Sequence, residues 1–234
     1  FLAQRISSIN TISAICERTG ANIKEVSLAV GMDHRIGKFF LNSGPGFGGS
    51  CFKKDVLSLI YLSKFYGLNE VAEYWNQVIK INSWQKKRIS RIILQNLFGN
   101  LKSKKIAILG FAFKADTNDT RESPAIDICK DLLVEGAHLA IYDPKVNFAN
   151  IAKELNSDNQ EKTFIYSGEF LKVKTIKEAI TNADAIVVLT EWEEFRNIQW
   201  NKYSDLMRKP SWIFDSRDVI NEADIDSKKI NLWK

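Results

Sequence analysis

A cysteine closes a glycine-rich run in this sequence. Gly44-Pro45-Gly46-Phe47-Gly48-Gly49-Ser50-Cys51 leads into Phe52, Lys53, Lys54 and Asp55, and an amphipathic stretch, VLSLIYLSKFYG, follows. A thiol placed where a loop becomes a helix meets unpaired N–H groups and the positive end of the helix dipole, which favour the thiolate. Lys53 and Lys54 add positive potential. The glycines let backbone N–H groups approach a ligand, because no side chain stands in the way. The pattern suits a nucleophile that attacks a carbonyl carbon; a buried structural thiol is the competing reading. Cys16 and Cys129 lie in apolar helical stripes and read as core packing.

Two chemistries use such a cysteine. Thiol hydrolysis needs a histidine partner, and the only downstream histidine is His138, inside a strand-like run. Oxidation of an aldehyde through a thiohemiacetal to a thioester needs a thiolate, a hydride acceptor and a water, but no histidine. The odd cysteine count, the lack of Cys-x-x-Cys and the two histidines give no metal pattern. They point to a reducing compartment, the cytosol.

The elements that must position Cys51 follow from patterning. The 234 residues suffice for one large or two medium domains. Residues 1–100 read as helical. Ile6, Ile9, Ile12 and Ile15 mark one helix, ended by Gly20; Asn22 caps a second; a third covers 53–66 and stops at Gly67. A long helix then runs unbroken towards Gly99. Val71, Trp75, Val78, Ile81, Ile89 and Ile92 form its apolar stripe, with a gap at Gln85, and Trp75 and Trp84 read as core. From residue 101 the pattern changes to strand–helix alternation: KKIAILGFAF, then SPAIDICKDLLVEG with Ser123 at N-cap and Pro124 at N1, then AHLAIYDP. Helix–strand pairs recur in TIKEAITNADAIVVLTEW and YSDLMRKPSWIFDSRDVI. The expected fold is α/β: a helical domain over 1–100 with a long helix, then a Rossmann-like, doubly wound parallel sheet over 101–234.

That sheet lacks the dinucleotide fingerprint. After Gly110 comes GFAFKADTNDTRE rather than G-x-G-x-x-G, so no pyrophosphate-cradling turn is expected. Asp143 reads as a strand-end residue before a proline turn. Lys114, Arg121 and Arg217 fall just past strand ends, where open parallel sheets hold ligands, and suit an anion such as phosphate. The net charge of +5 is spread over solvated helix faces, without a nucleic-acid-binding module. No apolar run approaches the ~18 residues of a membrane span. The first residues carry no signal-peptide cleavage pattern, and they start inside a helix without Met, as a segment of a longer chain would.

GPGFGGSCFKKD resembles the active-site segment of the nucleotide-sugar dehydrogenases, which oxidise a sugar C6 alcohol to a carboxylate. FLAQRISSINTISAICERTG, GMDHRIG, ILGFAFKADTNDTRESPA, YDPKV and FDSRDVI match the same family in order. The match is nearest to members acting on UDP-glucose; GDP-mannose and UDP-N-acetylhexosamine members remain open, as does a non-catalytic nucleotide-sugar-binding or oligomerisation module. The resemblance implies the central and C-terminal domains, with the N-terminal NAD-binding domain absent from this chain and the chain alone inactive. It implies conversion of UDP-glucose, two NAD⁺ and water to UDP-glucuronate and two NADH. Cys51 would be the nucleophile, and Asp55 would orient the hydrolytic water; a simple first-turn acid is the bland reading of Asp55. Backbone groups of Asn42, Ser43, Gly44, Pro45, Gly46, Phe47 and Gly48 would wrap the sugar and phosphates. Phe113, Lys114 and Arg217 would contact substrate, and Arg35 would reach the site of a neighbouring subunit. Cys51, Phe52, Lys53, Lys54 and Arg121 would lie against NAD. Many family members carry Pro at the position of Lys53. A cytoplasmic homodimer through the central helices, or a hexamer, is the implied assembly.

Overall fold

The first unit, Phe1–Lys86, is built from helices. The computed structural model describes residues 1–156 and 166–234 of the chain. Helix α1 spans Leu2–Thr19, α2 Ile23–Met32, α3 Phe52–Phe65 and α4 Asn69–Asn96. The Asn22 side chain accepts from the Lys24 amide, which starts α2 as expected. Ala3, Phe47, Val56, Ile60, Ala72 and Val78 form the core of this unit, with Trp75 packed on its side.

Two apolar stripes differ from expectation. Of the isoleucines on α1, Ile9 is buried while Ile15 is 61% exposed. A strict three-residue repeat slips about 60° per step around a helix of 3.6 residues per turn, so it walks off the buried face. Trp84 is 39% exposed rather than core, and on α4 Ala72, not Val71, faces inward. The same helix buries Asn82, Gln85 and Lys86.

The second unit, Lys87–Lys234, begins within α4. Ile89, Ile93 and Leu97 on the last turns of that helix belong to the core around the sheet. The strands are β1 Lys105–Leu109, β2 His138–Tyr142, β3 Glu169–Lys172, β4 Ala185–Val188, β5 Ser211–Asp215 and β6 Ile230–Trp233. The helices are α5 Pro124–Val134, α6 Phe148–Asn156, α7 Ile176–Ile180, α8 Glu193–Arg196 and α9 Trp200–Ser204. The sheet order is β3-β2-β1-β4-β5-β6 and every pairing is parallel. Ile108 pairs with Ile141 on one side and Val187 on the other, all three fully buried. Continuous apolar runs are what a sheet covered on both faces requires. The chain order reverses at β1 and β4, the place where such sheets hold ligands outside the carboxyl ends of their strands.

That edge is organised by Asp143, just past β2 and 1% exposed. Its Oδ2 accepts from the amides of Phe111 and Ala112 and from Trp192 Nε1, at 2.7, 3.1 and 3.2 Å. Its Oδ1 accepts from the amides of Lys145 and Val146, each at 2.9 Å. One side chain thus satisfies five donors on the segments that follow β1, β2 and β4. Beside it, Gly110 has φ +91, and a Cβ there would lie 2.4 Å from Thr190 Cβ. Thr190 Oγ1 donates to Ala112 O at 2.7 Å across this close approach. Replacing Asp143 by Ala strands these donors; the expected cost is about 3 kcal/mol or more, with a smaller loss for Asp143→Asn, measured by urea unfolding of the chain.

Candidate active site

In the first unit the glycine loop is held by three buried amide side chains. Asn10 Oδ1 accepts from the Gly44 amide at 2.9 Å, and Gln85 Nε2 donates to Gly44 O at 2.9 Å. Asn82 grips Phe47 twice: its Oδ1 accepts from the Phe47 amide at 2.8 Å and its Nδ2 donates to Phe47 O at 3.1 Å. Gly46 has φ +120, and a Cβ there would stand 2.7 Å from Asn82 Oδ1. The clamp and a side chain at position 46 exclude each other. The gap in the α4 stripe at Gln85 is therefore one of the residues that shape the loop.

The loop delivers Cys51 to the surface. Cys51 is exposed at the N-cap of α3, with Ser50 Oγ 3.6 Å from its sulfur. Its carbonyl accepts the Asp55 amide at 2.8 Å, closing the first turn. Asp55 is exposed in that turn, 3.8 Å from Lys54 Nζ. Asn42 is exposed, and Ser43, Gly44 and Gly48 are half-buried. Pro45, Gly46 and Phe47 are buried, and the Phe47 ring packs in the core, edge-on to Phe52 at 5.8 Å. Gly44 and Phe47 commit backbone groups to the clamp and so shape the loop.

Arg35 stands on a fixed turn in the same unit and is 78% exposed. Asp33 accepts from its amide at 2.9 Å, from Nε at 3.0 Å and from Nη2 at 2.6 Å. The Arg35 hydrogen bonds hold the Asp33 carboxyl below the usual range, and Asp33 raises the guanidinium in return. Arg5 pins the turn by donating to Ile36 O at 2.6 Å and Gly37 O at 2.7 Å.

In the second unit the predicted ligand residues fall at the carboxyl edge of the sheet. The Phe113 amide donates to Asp119 O at 3.1 Å, and Lys114 Nζ lies 5.7 Å from the centre of the Phe113 ring. Arg121 forms a fork with Asp119, through Nε at 2.9 Å and Nη2 at 2.7 Å, and this bonding lowers the Asp119 carboxyl. Arg217 follows β5 and is only 16% exposed. It donates from Nε to Leu189 O at 2.9 Å and from Nη2 to Phe113 O at 3.2 Å. Asp215 is buried, which raises its carboxyl although it accepts from the amides of Arg217 and Ile220. At the end of β2, burial, then a hydrogen bond to Glu194, pushes the Tyr142 hydroxyl up to about 12.

A regularity that the motifs did not reveal emerges here. Arg35, Arg121 and Arg217 each stand two residues after an aspartate that accepts their backbone amide, at 2.9, 2.9 and 3.1 Å. The short Asp-x-Arg spacing is the signal that would have exposed it, because an aspartate bonds its own chain two residues on. Among the described residues no group of three or more His, Cys, Asp or Glu could hold a metal ion. None of the described helices is long and apolar enough to cross a membrane.

The sequence pattern of the UDP-glucose/GDP-mannose dehydrogenase family, central domain, matches residues 1–84, and that of its UDP binding domain matches residues 107–222. The chain belongs to this family. Among dehydrogenases of the family, UDP-glucose 6-dehydrogenase 4 of Arabidopsis thaliana is 50% identical over 230 residues, and UDP-glucose 6-dehydrogenase 1 of Glycine max 48%. Each alignment covers 94% of this chain and 48% of the relative, so the chain spans about half the length of the relatives it matches. A UDP-glucose dehydrogenase from the archaeon Pyrobaculum islandicum shares the fold at a TM-score of 0.79 and 26% identity, over 100% of this chain and 48% of that one. An NDP-N-acetyl-D-galactosaminuronic acid dehydrogenase from Methanosarcina mazei Go1 gives 0.80 at 23% identity, over 99% and 47%.

The cysteines of this family member differ sharply in access: Cys51 is exposed, whereas Cys16 and Cys129 are buried, and burial pushes the Cys129 thiol far up. Brief treatment of the folded chain with iodoacetamide should add one label, found by peptide mass mapping on the peptide holding Cys51. Labelling of Cys16 or Cys129 at a comparable rate would contradict this placement.

Proposed function

We propose that this chain is the catalytic-cysteine and UDP-binding part of a UDP-glucose 6-dehydrogenase. The observation that carries the proposal is the exposed Cys51 at the start of α3, held out by a glycine loop whose shape is fixed by Asn10, Asn82 and Gln85. Identity of 46–50% to enzymes named for that activity supports it.

The nucleotide end is assigned to the second unit. Lys114 and Arg217 supply positive charge at the carboxyl edge of the sheet, where an anionic diphosphate is expected. This edge does not suit the pyrophosphate of NAD: the turn after β1 lacks the glycine fingerprint, and Asp143 already occupies the Phe111 and Ala112 amides. This chain's share of NAD binding is a set of edge contacts. Phe52, Lys53 and Lys54 at the start of α3, and Arg121, carry the cationic and apolar surface such contacts need. When bound, NAD supplies the hydride acceptor for both oxidations.

The covalent steps fall to this chain's own residues. The Cys51 sulfur adds to the C6 aldehyde carbon, and the carbonyl oxygen takes a proton, giving a thiohemiacetal. The second oxidation leaves a thioester on Cys51. Asp55, one turn along α3, orients water for attack on that carbonyl, which releases the carboxylate and returns the thiol. Covalent capture keeps the reactive aldehyde from escaping between the two oxidations.

Arg35 is assigned to a neighbouring subunit's site. Its exposed, pre-formed fork with Asp33 supports that role. A second copy is expected to cover the row Leu57, Tyr61 and Phe65, spaced four apart on α3 and exposed. That gives a homodimer through the helices of the first unit, with a hexamer as the larger assembly. All three cysteines are free, which fits the cytosol.

Two measurements test this reading. Calorimetric titration of the chain should show saturable UDP binding with GDP at least ~10-fold weaker, about 1.4 kcal/mol; a GDP preference would point to a GDP-mannose enzyme. In the full-length protein, Cys51→Ser should abolish multiple turnover and leave an ester that water cleaves slowly, seen as a mass adduct on the protein. Undiminished turnover in that variant rules out Cys51 as the nucleophile.

A further inference from the structure

Arg217 sits in an unusual position for a ligand-binding arginine. Its guanidinium is mostly buried and spans three segments: it belongs to the turn after β5, donates to Phe113 O after β1, and donates to Leu189 O after β4. Its own amide is fixed by Asp215. Neutral carbonyls alone do not offset the cost of burying a cation. Burial accordingly depresses the guanidinium, and the opposing influence is Glu191.

Glu191 Oε2 lies 3.2 Å from Arg217 Nε. The Nε–H is directed to Leu189 O, so this carboxylate oxygen is buried without any hydrogen bond of its own. It meets Arg217 as a charge and not as a hydrogen-bond acceptor. A buried carboxylate oxygen left without donors is costly unless a cation stands beside it. The two groups therefore stabilise each other's burial. Of the five N–H donors on a guanidinium, the described bonds use one on Nε and one on Nη2, and none on Nη1.

We propose that Glu191 is a positioning residue for UDP-sugar binding: its charge holds the Arg217 guanidinium at the carboxyl edge between β1 and β4, with the Nη1 side left for an anionic oxygen of the substrate. The inference rests on the assignment of Arg217 to the UDP end. Glu191 itself does not contact the ligand, and being an anion near an anion site it would oppose binding if it acted directly. Its value lies in fixing a cation that would otherwise swing out to water.

Steady-state kinetics of the full-length enzyme test this. Glu191→Gln keeps the shape and removes the charge; KM for UDP-glucose should rise about tenfold, in the range by which contacting residues couple, while kcat stays within about twofold. Glu191→Asp keeps the charge one methylene further back and should give an intermediate KM; it is also the variant that settles the matter should the Gln protein not fold. In an Arg217→Lys background, where the fork is already lost, Glu191→Gln should add little. An unchanged KM in both Glu191 variants, or an equal additional rise in the Arg217→Lys background, overturns the inference while leaving Arg217 a substrate residue. If Arg217→Lys and Arg217→Gln both leave KM untouched, the assignment of Arg217 to the substrate fails, and the role of Glu191 with it.

Discussion

A buried backbone N–H must find an acceptor, and both candidate site edges of this chain are built around that demand. Ligand edges are made of loops, and loops lack ladder partners. Here carboxylate and amide side chains stand in for them. Asp143 serves five donors around the ends of β1, β2 and β4. Asn82 mimics a strand partner for Phe47, offering an acceptor and a donor from a single planar amide. These groups never need to touch substrate. They decide where these loops can run.

The same side chains set the electrostatics. Each of the three arginines assigned to ligands has an acid at close range, but the acids are used differently. Asp33 and Asp119 are partly exposed and chelate their own arginine's fork. Asp215 is buried and turned to backbone amides, and a second acid, Glu191, takes up the charge. Surface pairs of the first kind contribute little to stability. What they do is restrict where a long side chain points, which would lower the ordering cost of the proposed anion binding.

Much of this was legible in the sequence, and the failures have physical causes. Helix starts at Asn22 and Ser123 followed from capping chemistry, and the parallel sheet followed from unbroken apolar runs such as Ala185–Val188. The glycine run and Cys51 stood out because cysteine is scarce. Trp84 and Ile15 were misplaced because size and hydrophobicity do not reveal which side of a helix faces the core. Asp143 looked like a turn residue, because a one-letter string does not show that amides from a segment thirty-odd positions earlier converge on it. Gln85 showed only as a gap, since a polar residue inside an apolar stripe can be a fault or a grip, and only the position of Gly44 tells which. Glu191 gave no signal, because its partner lies on another strand end.

The apolar row on α3, Leu57, Tyr61 and Phe65, has a consequence of a different kind under the proposed homodimer. A face covered by a second copy belongs to the folded chain and has no counterpart in the unfolded one, so mass action ties folding to concentration. The small core of the first unit, a cluster of six buried apolar side chains, gives that linkage weight. For such a protein dilution acts as a mild denaturant, and a melting temperature describes a sample at one concentration rather than the molecule.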